Sequence, residues 1–394
     1  MGTLLARHVS TGVLSLLVVF LASSGSAWAQ GRSGDAIPDQ YIVVLRDAAM
    51  PPGLSRAEAE SRASAFAQGR GVAAESVDRV YYRALRGFSA RLNAQQRARL
   101  SSDPNVLYVE QDRLMVLGPP RPGGGSPAPA GQQVPWGITR VGGHVDGTGK
   151  TAWVIDTGVD LDHPDLNVDA SRSASFITKG RDARDADDLN GHGTHCAGTI
   201  AALDNDIGVV GVAAGATIVA VKVLDQRGSG SYSGVIAGVD YVAANAAPGD
   251  AVNMSLGGPT SQALDDAIRN AAAQGILLAI AAGNESKDAN TASPARVEAD
   301  NVWTVSACDS NDNFASFSNY SGPTAAPVEL CAPGVNILST WMDGGYNDIS
   351  GTSMATPHVA GLLLATGGAL ATDGMVKAGD PDGDPDPIAH RGND

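Results

Sequence analysis

Residues 152–158 read Ala-Trp-Val-Ile-Asp-Thr-Gly: four apolar residues of strand length, a carboxylate, then a glycine where the chain turns. Nothing in the apolar run alternates with polar residues, so a strand here is covered on both faces, as in a parallel sheet. Similar runs return at 218–224, 251–256, 276–281 and 302–305, with helical stretches at 193–203, 233–246 and 262–274 between them. In the last stretch Leu264, Ala267, Ile268 and Ala271 fall at i, i+3, i+4 and i+7, which makes one buried stripe. From residue 131 onward the pattern therefore predicts an α/β fold, a three-layer doubly wound and mainly parallel sheet. Chemistry in such sheets gathers beyond the carboxyl ends of strands, and Asp156 stands at one of them.

Working back toward the N-terminus, the pattern changes. Short β-branched or aromatic runs at 41–45, 80–82, 88–92 and 106–109 alternate with helical compositions at 55–68 and 94–100. Strand, helix, two strands, helix, strand is the order of a small α+β, ferredoxin-like domain. Residues 118–130 are rich in Pro and Gly and read as an exposed linker. At the start, Arg7 and His8 precede the apolar run 13–21, which ends in Ala27-Trp28-Ala29. That is the form of a secretory signal cleaved before Gln30, and the run falls short of the ~20 apolar residues of a membrane span. The expected division is 1–29 signal, 30–117 small domain, 118–130 linker and 131–394 main domain, in an extracellular protein that does not engage membranes.

Composition narrows the function. Forty-two acidic against 27 basic residues give a formal charge of -15, a field that repels nucleic acid and anionic lipid. Aromatic residues are only 5% and glycines number 48, so the core is built from Ala, Val, Ile and Leu. Three cysteines, Cys196, Cys308 and Cys331, are too few for a disulfide scaffold. Cys308 and Cys331 are the candidate pair, with Cys196 left free, and geometry decides whether they meet.

Three polar clusters interrupt the apolar elements: Asp156 before its Gly turn, His192 opening an Ala-rich helix, and Ser353 opening another apolar helix. A hydroxyl nucleophile needs a base for its proton, and an imidazole base needs a buried carboxylate to fix its tautomer. Each residue also has a plain structural role open to it, since Asp156 and Ser353 could cap turns or helices. His192 and His195 raise zinc ligation as a rival. Their spacing is one short of the i, i+4 pair, no Glu follows His192, and His195 fits a packed core position better.

The stretches VIDTGVD (154–160), NGHGTHCAGTIAAL (190–203) and SGTSMATPHVAG (350–361) resemble the three active-site signatures of the subtilisin-like serine proteases. Subtilisin is itself a standard worked case of the Asp, His, Ser chain order, so the triad comes from the resemblance and not from spacing. The resemblance runs from about Gln132 to about Leu364. It implies Ser353 as nucleophile, His192 as general base then acid, Asp156 as its orienting partner and Asn284 as side-chain donor of the oxyanion hole. It further implies that Gly228, Ser229 and Gly230, with Ser255, Leu256, Gly257 and Gly258, bind a substrate backbone as an added strand. Ser255–Gly258 with Ala281, Ala282 and Gly283 would wall a first specificity pocket suited to large apolar side chains, with Glu285 admitting some basic ones. A calcium ion is implied at Gln132, Asp165, Leu203, Asn205, Ile207 and Val209, a set of oxygens suited to a hard cation.

Residues 41–117 resemble the inhibitory propeptide of these enzymes through YIVVL, GFSARL and NVLYVEQD. The implied protein is a monomeric, broad-specificity secreted endopeptidase that processes itself, with its propeptide as inhibitor and folding aid and the scissile bond in or near the linker. A catalytically dead relative on the same fold is the alternative, and the intact set Asp156, His192, Asn284 and Ser353 argues against it. Two features have no counterpart in the resemblance: the acidic run Asp182, Asp185, Asp187, Asp188, and the tail GDPDGDPDP (379–387), expected to be a solvated terminus.

Overall fold

In the computed structural model the parallel sheet is present and larger than predicted. In spatial order its nine strands are Ala371–Met375, Pro387–His390, Val328–Pro333, Val302–Cys308, Leu277–Ala281, Ala251–Met254, Thr151–Asp156, Thr217–Lys222 and Ala174–Ser175. All neighbours run parallel except the edge strand Ala371–Met375, which is antiparallel to Pro387–His390. The structure describes residues 1–2, 31–118, 121–122, 129–323, 325 and 327–392, and Arg32–Asp394 form one compact unit. Residues 3–29 of the predicted signal lie outside the described residues, as does most of the linker. Among the described residues no helix is long and apolar enough to cross a membrane.

Side chains along the Asp156 strand divide between two cores, as strand geometry requires. Ala152 and Val154 enter the core shared with Cys196, Ile200, Met354 and Val359, whereas Trp153 and Ile155 enter the core shared with Val235, Val239, Leu264 and Ile268. The helices His192–Ala201 and Thr352–Thr366 therefore cover one face, and Tyr232–Asn245 and Gln262–Ala272 the other. The period of two puts Asp156 on the face of Ala152 and Val154, the face carrying His192 and Ser353.

The small domain has the predicted order: Ala36–Leu45, helix Arg56–Gln68, Val77–Tyr81, Gly87–Arg91, helix Ala94–Ser101 and Val106–Val116. Its last strand is longer than the run 106–109 suggests, because the charged residues that follow have work at the interface. Asp112 accepts from Ser233 N at 3.1 Å, and Glu110 accepts from Ala263 N at 2.9 Å, so each carboxylate caps a helix of the main domain. In return Asp240, buried on helix Tyr232–Asn245, accepts from the successive N–H groups of Tyr82, Arg83, Ala84 and Leu85 at 2.7–3.4 Å.

Two expectations need correction. The tail is solvated only in part: Asp386 is buried with its carboxylate accepting from Ser306 Oγ at 2.5 Å, and Pro387–His390 returns as a sheet strand. Cys308 and Cys331 are both free buried thiols. Cys331 sits opposite Ser306 and Cys308 opposite Pro333, so the two are diagonal across adjacent strands. Each is offset by two residues from the other's direct partner, and the two side chains meet as thiols rather than as a bridge.

Replacing Asp240 by Ala removes the acceptor of four backbone donors and is expected to cost about 2–4 kcal/mol. Calorimetry of the uncut chain carrying Ser353→Ala checks it; a melting temperature unchanged within about 1 °C contradicts the assignment.

Candidate active site

The strand end delivers Asp156 fully buried, and the glycines around it decide what can approach. Gly158 turns the chain at φ +104, a conformation costly for other residues. A Cβ at Gly193 would lie 2.1 Å from the Gly158 carbonyl oxygen and 3.1 Å from Asp156 Cβ. Only glycine lets the first turn of helix His192–Ala201 settle against the turn behind Asp156, and that contact brings the imidazole to the carboxylate.

His192 Nδ1 lies 2.8 Å from Asp156 Oδ1, which also accepts from Thr157 N at 2.7 Å. The ring is buried, and burial alone would push its pKa down; the Asp156 charge and hydrogen bond, with a smaller push from Asp188, outweigh it and hold the imidazole above its ordinary value. Nδ1 is thereby committed as the donor, leaving Nε2 as the basic nitrogen.

Ser353 is the second residue of helix Thr352–Thr366, at its positive end. Its Oγ donates to the Ser255 carbonyl at 3.2 Å in this rotamer rather than to His192. Its own carbonyl accepts from Ser255 Oγ at 2.8 Å and Cys196 Sγ at 3.4 Å, which pins the helix start to the strand that ends at Met254. Asn284 Oδ1 accepts from Thr352 N at 2.8 Å and Thr352 Oγ1 at 3.1 Å. With the oxygen held, Nδ2 is what the amide has left to offer the cleft it lines.

His192, Asn284 and Ser353 line one cleft of about 770 Å³, together with Ser255–Gly258 and Ala281–Gly283 of the sequence-predicted wall. Glu285 lines it too, but Lys287 stands there as well, and the Glu285 carboxylate is engaged by Asn319 Nδ2 at 2.9 Å. Val116, Leu117 and Gly118 also line the cleft. Ser229–Ser231 pairs antiparallel with Leu114–Val116, and Leu117 N donates to the Gly228 carbonyl at 2.9 Å. Gly228, Ser229 and Gly230 thus hold an extended segment of this same chain. Arg121–Pro122 pairs in turn with Ile349–Ser350, a segment separated from Ser353 by Gly351 and Thr352.

The six residues expected around calcium converge. Asp165, fully buried, accepts from Asn205 Nδ2 at 2.8 Å, Val209 N at 3.0 Å and Tyr346 Oη at 3.2 Å. Leu203 N donates to the Asp165 carbonyl at 3.0 Å, Ile207 N to Asn205 Oδ1 at 2.7 Å, and Asn205 N to Gln132 Oε1. Burial pushes the Asp165 carboxyl up, and among the described residues no lysine or arginine pairs with it.

The zinc alternative finds no second histidine. His195 Nε2 lies on the Ile337 carbonyl at 2.9 Å, and burial pushes that ring down to about 3. The ligand-type atoms that do converge with His192 among the described residues are those of Asp156 and Cys196, whose thiol burial pushes well up. Sequence reading missed the acidic run's role: Asp182 pairs with the fully buried Lys222 at 2.9 Å, and Asp188 gathers hydrogen bonds from both sides of the site.

The subtilase family matches residues 147–369, and peptidase inhibitor I9 matches residues 40–117. The chain belongs to the subtilase family. It is 43% identical over 339 residues to alkaline serine exoprotease A of Vibrio alginolyticus, which covers 83% of this chain but only 60% of that protein's length. It is 39% identical over 382 residues to the extracellular serine proteinase of Thermus sp. (strain Rt41A), covering 89% and 87%. A crystal structure of a cold adapted subtilisin-like serine proteinase superposes with a TM-score of 0.56 at 40% identity, covering 66% of this chain and 98% of that one. This subtilase is accordingly a serine endopeptidase carrying an inhibitor-type propeptide domain ahead of its peptidase domain.

Two measurements probe the site of this subtilase. Asn284→Ala is expected to lower kcat about 10²–10³-fold with little change in KM, and an unchanged kcat would remove Asn284 from the mechanism. Because the base must be neutral, kcat/KM should rise with pH through an apparent pKa above the ordinary 6.5 of histidine; a limb below that value contradicts the Asp156–His192 pairing.

Proposed function

We propose that the protein is a secreted, self-processing endopeptidase in which Ser353, His192 and Asp156 cleave peptide bonds through an acyl-enzyme. The observation carrying this reading is the buried Asp156–His192 pair opening into the same cleft as Ser353 and Asn284, with an extended peptide already laid along one side. For attack, Ser353 Oγ turns from the Ser255 carbonyl to His192 Nε2 and gives up its proton as it bonds to the substrate carbonyl carbon. Asn284 Nδ2 and the Ser353 N–H receive the developing oxyanion, a contribution typically worth about 3 kcal/mol per donor. His192 passes the proton to the leaving amine, and Asp156 steadies the imidazolium throughout. Water then repeats the sequence on the acyl-enzyme.

Specificity follows from the same geometry. Backbone hydrogen bonds to the segments 228–230 and 255–258 grip any extended chain, so affinity is largely indifferent to sequence. Small residues at 281–283 leave room for a large apolar side chain in the first pocket. The N-terminal apolar run and the word extracellular in the Thermus relative's name support export. Residues 30–117 act as inhibitor and folding aid, since Val116 and Leu117 line the cleft beside Ser353 and Glu110 and Asp112 cap two helices of the enzyme. Calcium would be held by Asp165, Asn205 and Gln132 side chains with the carbonyls of Leu203, Ile207 and Val209, where a buried carboxylate met by neutral donors, with no lysine or arginine paired to it, suits a hard cation. Every group named comes from one copy of the chain, so a monomer suffices.

The full chain bearing Ser353→Ala should persist as an uncut precursor and leave casein intact. A variant that matures and digests casein after purification would sink the assignment. Chelating calcium should lower the melting temperature by several degrees, with a smaller effect on initial rate at room temperature; equal melting temperatures with and without the ion would remove it from the account.

A further inference from the structure

Asp188 is buried between the two elements that carry the acid and the base, and its carboxylate is saturated by donors from both. Oδ1 accepts from Thr157 Oγ1 at 3.0 Å, Asn190 N at 2.9 Å and Gly191 N at 3.0 Å. Oδ2 accepts from Thr194 N at 3.0 Å and Thr194 Oγ1 at 2.7 Å. Thr157 follows Asp156 directly, and its Oγ1 in turn accepts from Gly193 N at 2.9 Å. The remaining donors lie on either side of His192, Asn190 and Gly191 just before its helix and Thr194 in the first turn. Among the described residues no lysine or arginine pairs with Asp188, so its charge is balanced only by N–H and O–H dipoles and by the helix end.

We propose that Asp188 is a positioning residue for the subtilase reaction: it locks the Asp156 turn to the His192 helix start and supports the imidazolium formed during turnover. The inference rests on the catalytic roles given to Asp156 and His192. Two links join the elements behind the reacting groups, Thr157 to Asp188 and Gly193 to Thr157, and one carboxylate anchors both. Neutralising it while keeping its shape leaves five donor groups facing an amide that must itself donate from one end, so at least one backbone N–H contact turns repulsive. The groups facing His192 are Asp156, Asp188, Cys196 and His195. The two carboxylates favour the charged ring. Losing either makes the imidazole easier to deprotonate.

The test measures kcat, KM and the pH profile per active site, counted by titration with a serine-directed phosphonylating reagent, in matured Asp188→Asn and Asp188→Glu. Asp188→Asn is expected to lose about 10–100-fold in kcat, with KM within about twofold. Its acid limb should move to lower pH by about half a pH unit, since a favourable negative charge is gone. Asp188→Glu should lose part of kcat with the limb unmoved. A purely structural residue would lower the melting temperature while kcat per titrated site and the limb stayed put, and that result overturns the proposal. If Asp188→Asn gives no folded enzyme, Thr157→Val decides. It should lower kcat severalfold with an unmoved limb, and an unchanged kcat overturns the proposal. Failure of the wider reading looks different, because Ser353→Ala would then retain activity whatever Asp188 does.

Discussion

A buried carboxylate at the end of a parallel strand is the feature around which the rest is arranged. Asp156 has no access to water, and an ion in that position must be met by donors or by an opposite charge. Its Oδ1 receives the Thr157 N–H and the His192 ring, so the imidazole is part of how the strand end is satisfied. That requirement explains the glycine at 193, since any side chain there would hold the helix off the turn. It also explains why the sheet face carrying Ala152 and Val154 is the one covered by both functional helices.

The propeptide domain uses one strand for two jobs. Residues Glu110 and Asp112 meet the N-termini of helices Gln262–Ala272 and Tyr232–Asn245, and the same strand runs on to pair with Ser229–Ser231 at the cleft. Capping two helices of the peptidase domain and lining the cleft are therefore geometrically coupled. A parallel sheet assembled from distant segments folds slowly, and the proposed role of this domain as a folding aid would answer that difficulty.

Legibility in the sequence tracks distance along the chain. The strand and helix pattern, and the residues within each active-site stretch, are local, and apolar periodicity with a few Gly positions is enough to see them. Partnerships between distant residues are not visible: Lys222 reads as one charge ending an apolar run, and Asp182 and Asp188 as members of an acidic stretch. Their roles exist only once the strand ends and the His192 helix come together. Polar residues also hide regular structure. The strand ending at Val116 reads as shorter than it is because Glu110–Arg113 are polar or charged, and Pro387–His390 is concealed behind alternating Asp and Pro although Ile388 is fully buried. The cysteines are a further case, since Cys308 and Cys331, 23 residues apart in the chain, come to adjacent strands two residues out of register and remain thiols.

The central claim is that one hydroxyl, at Ser353, is made nucleophilic by the His192–Asp156 pair. Treating the matured enzyme with a phosphonylating reagent, then mapping the adduct by peptide mass spectrometry while following residual activity, tests this directly. The predicted result is a single stoichiometric adduct on Ser353, with activity lost in proportion to its formation. An adduct confined to another residue, or full activity with Ser353 completely modified, would contradict it.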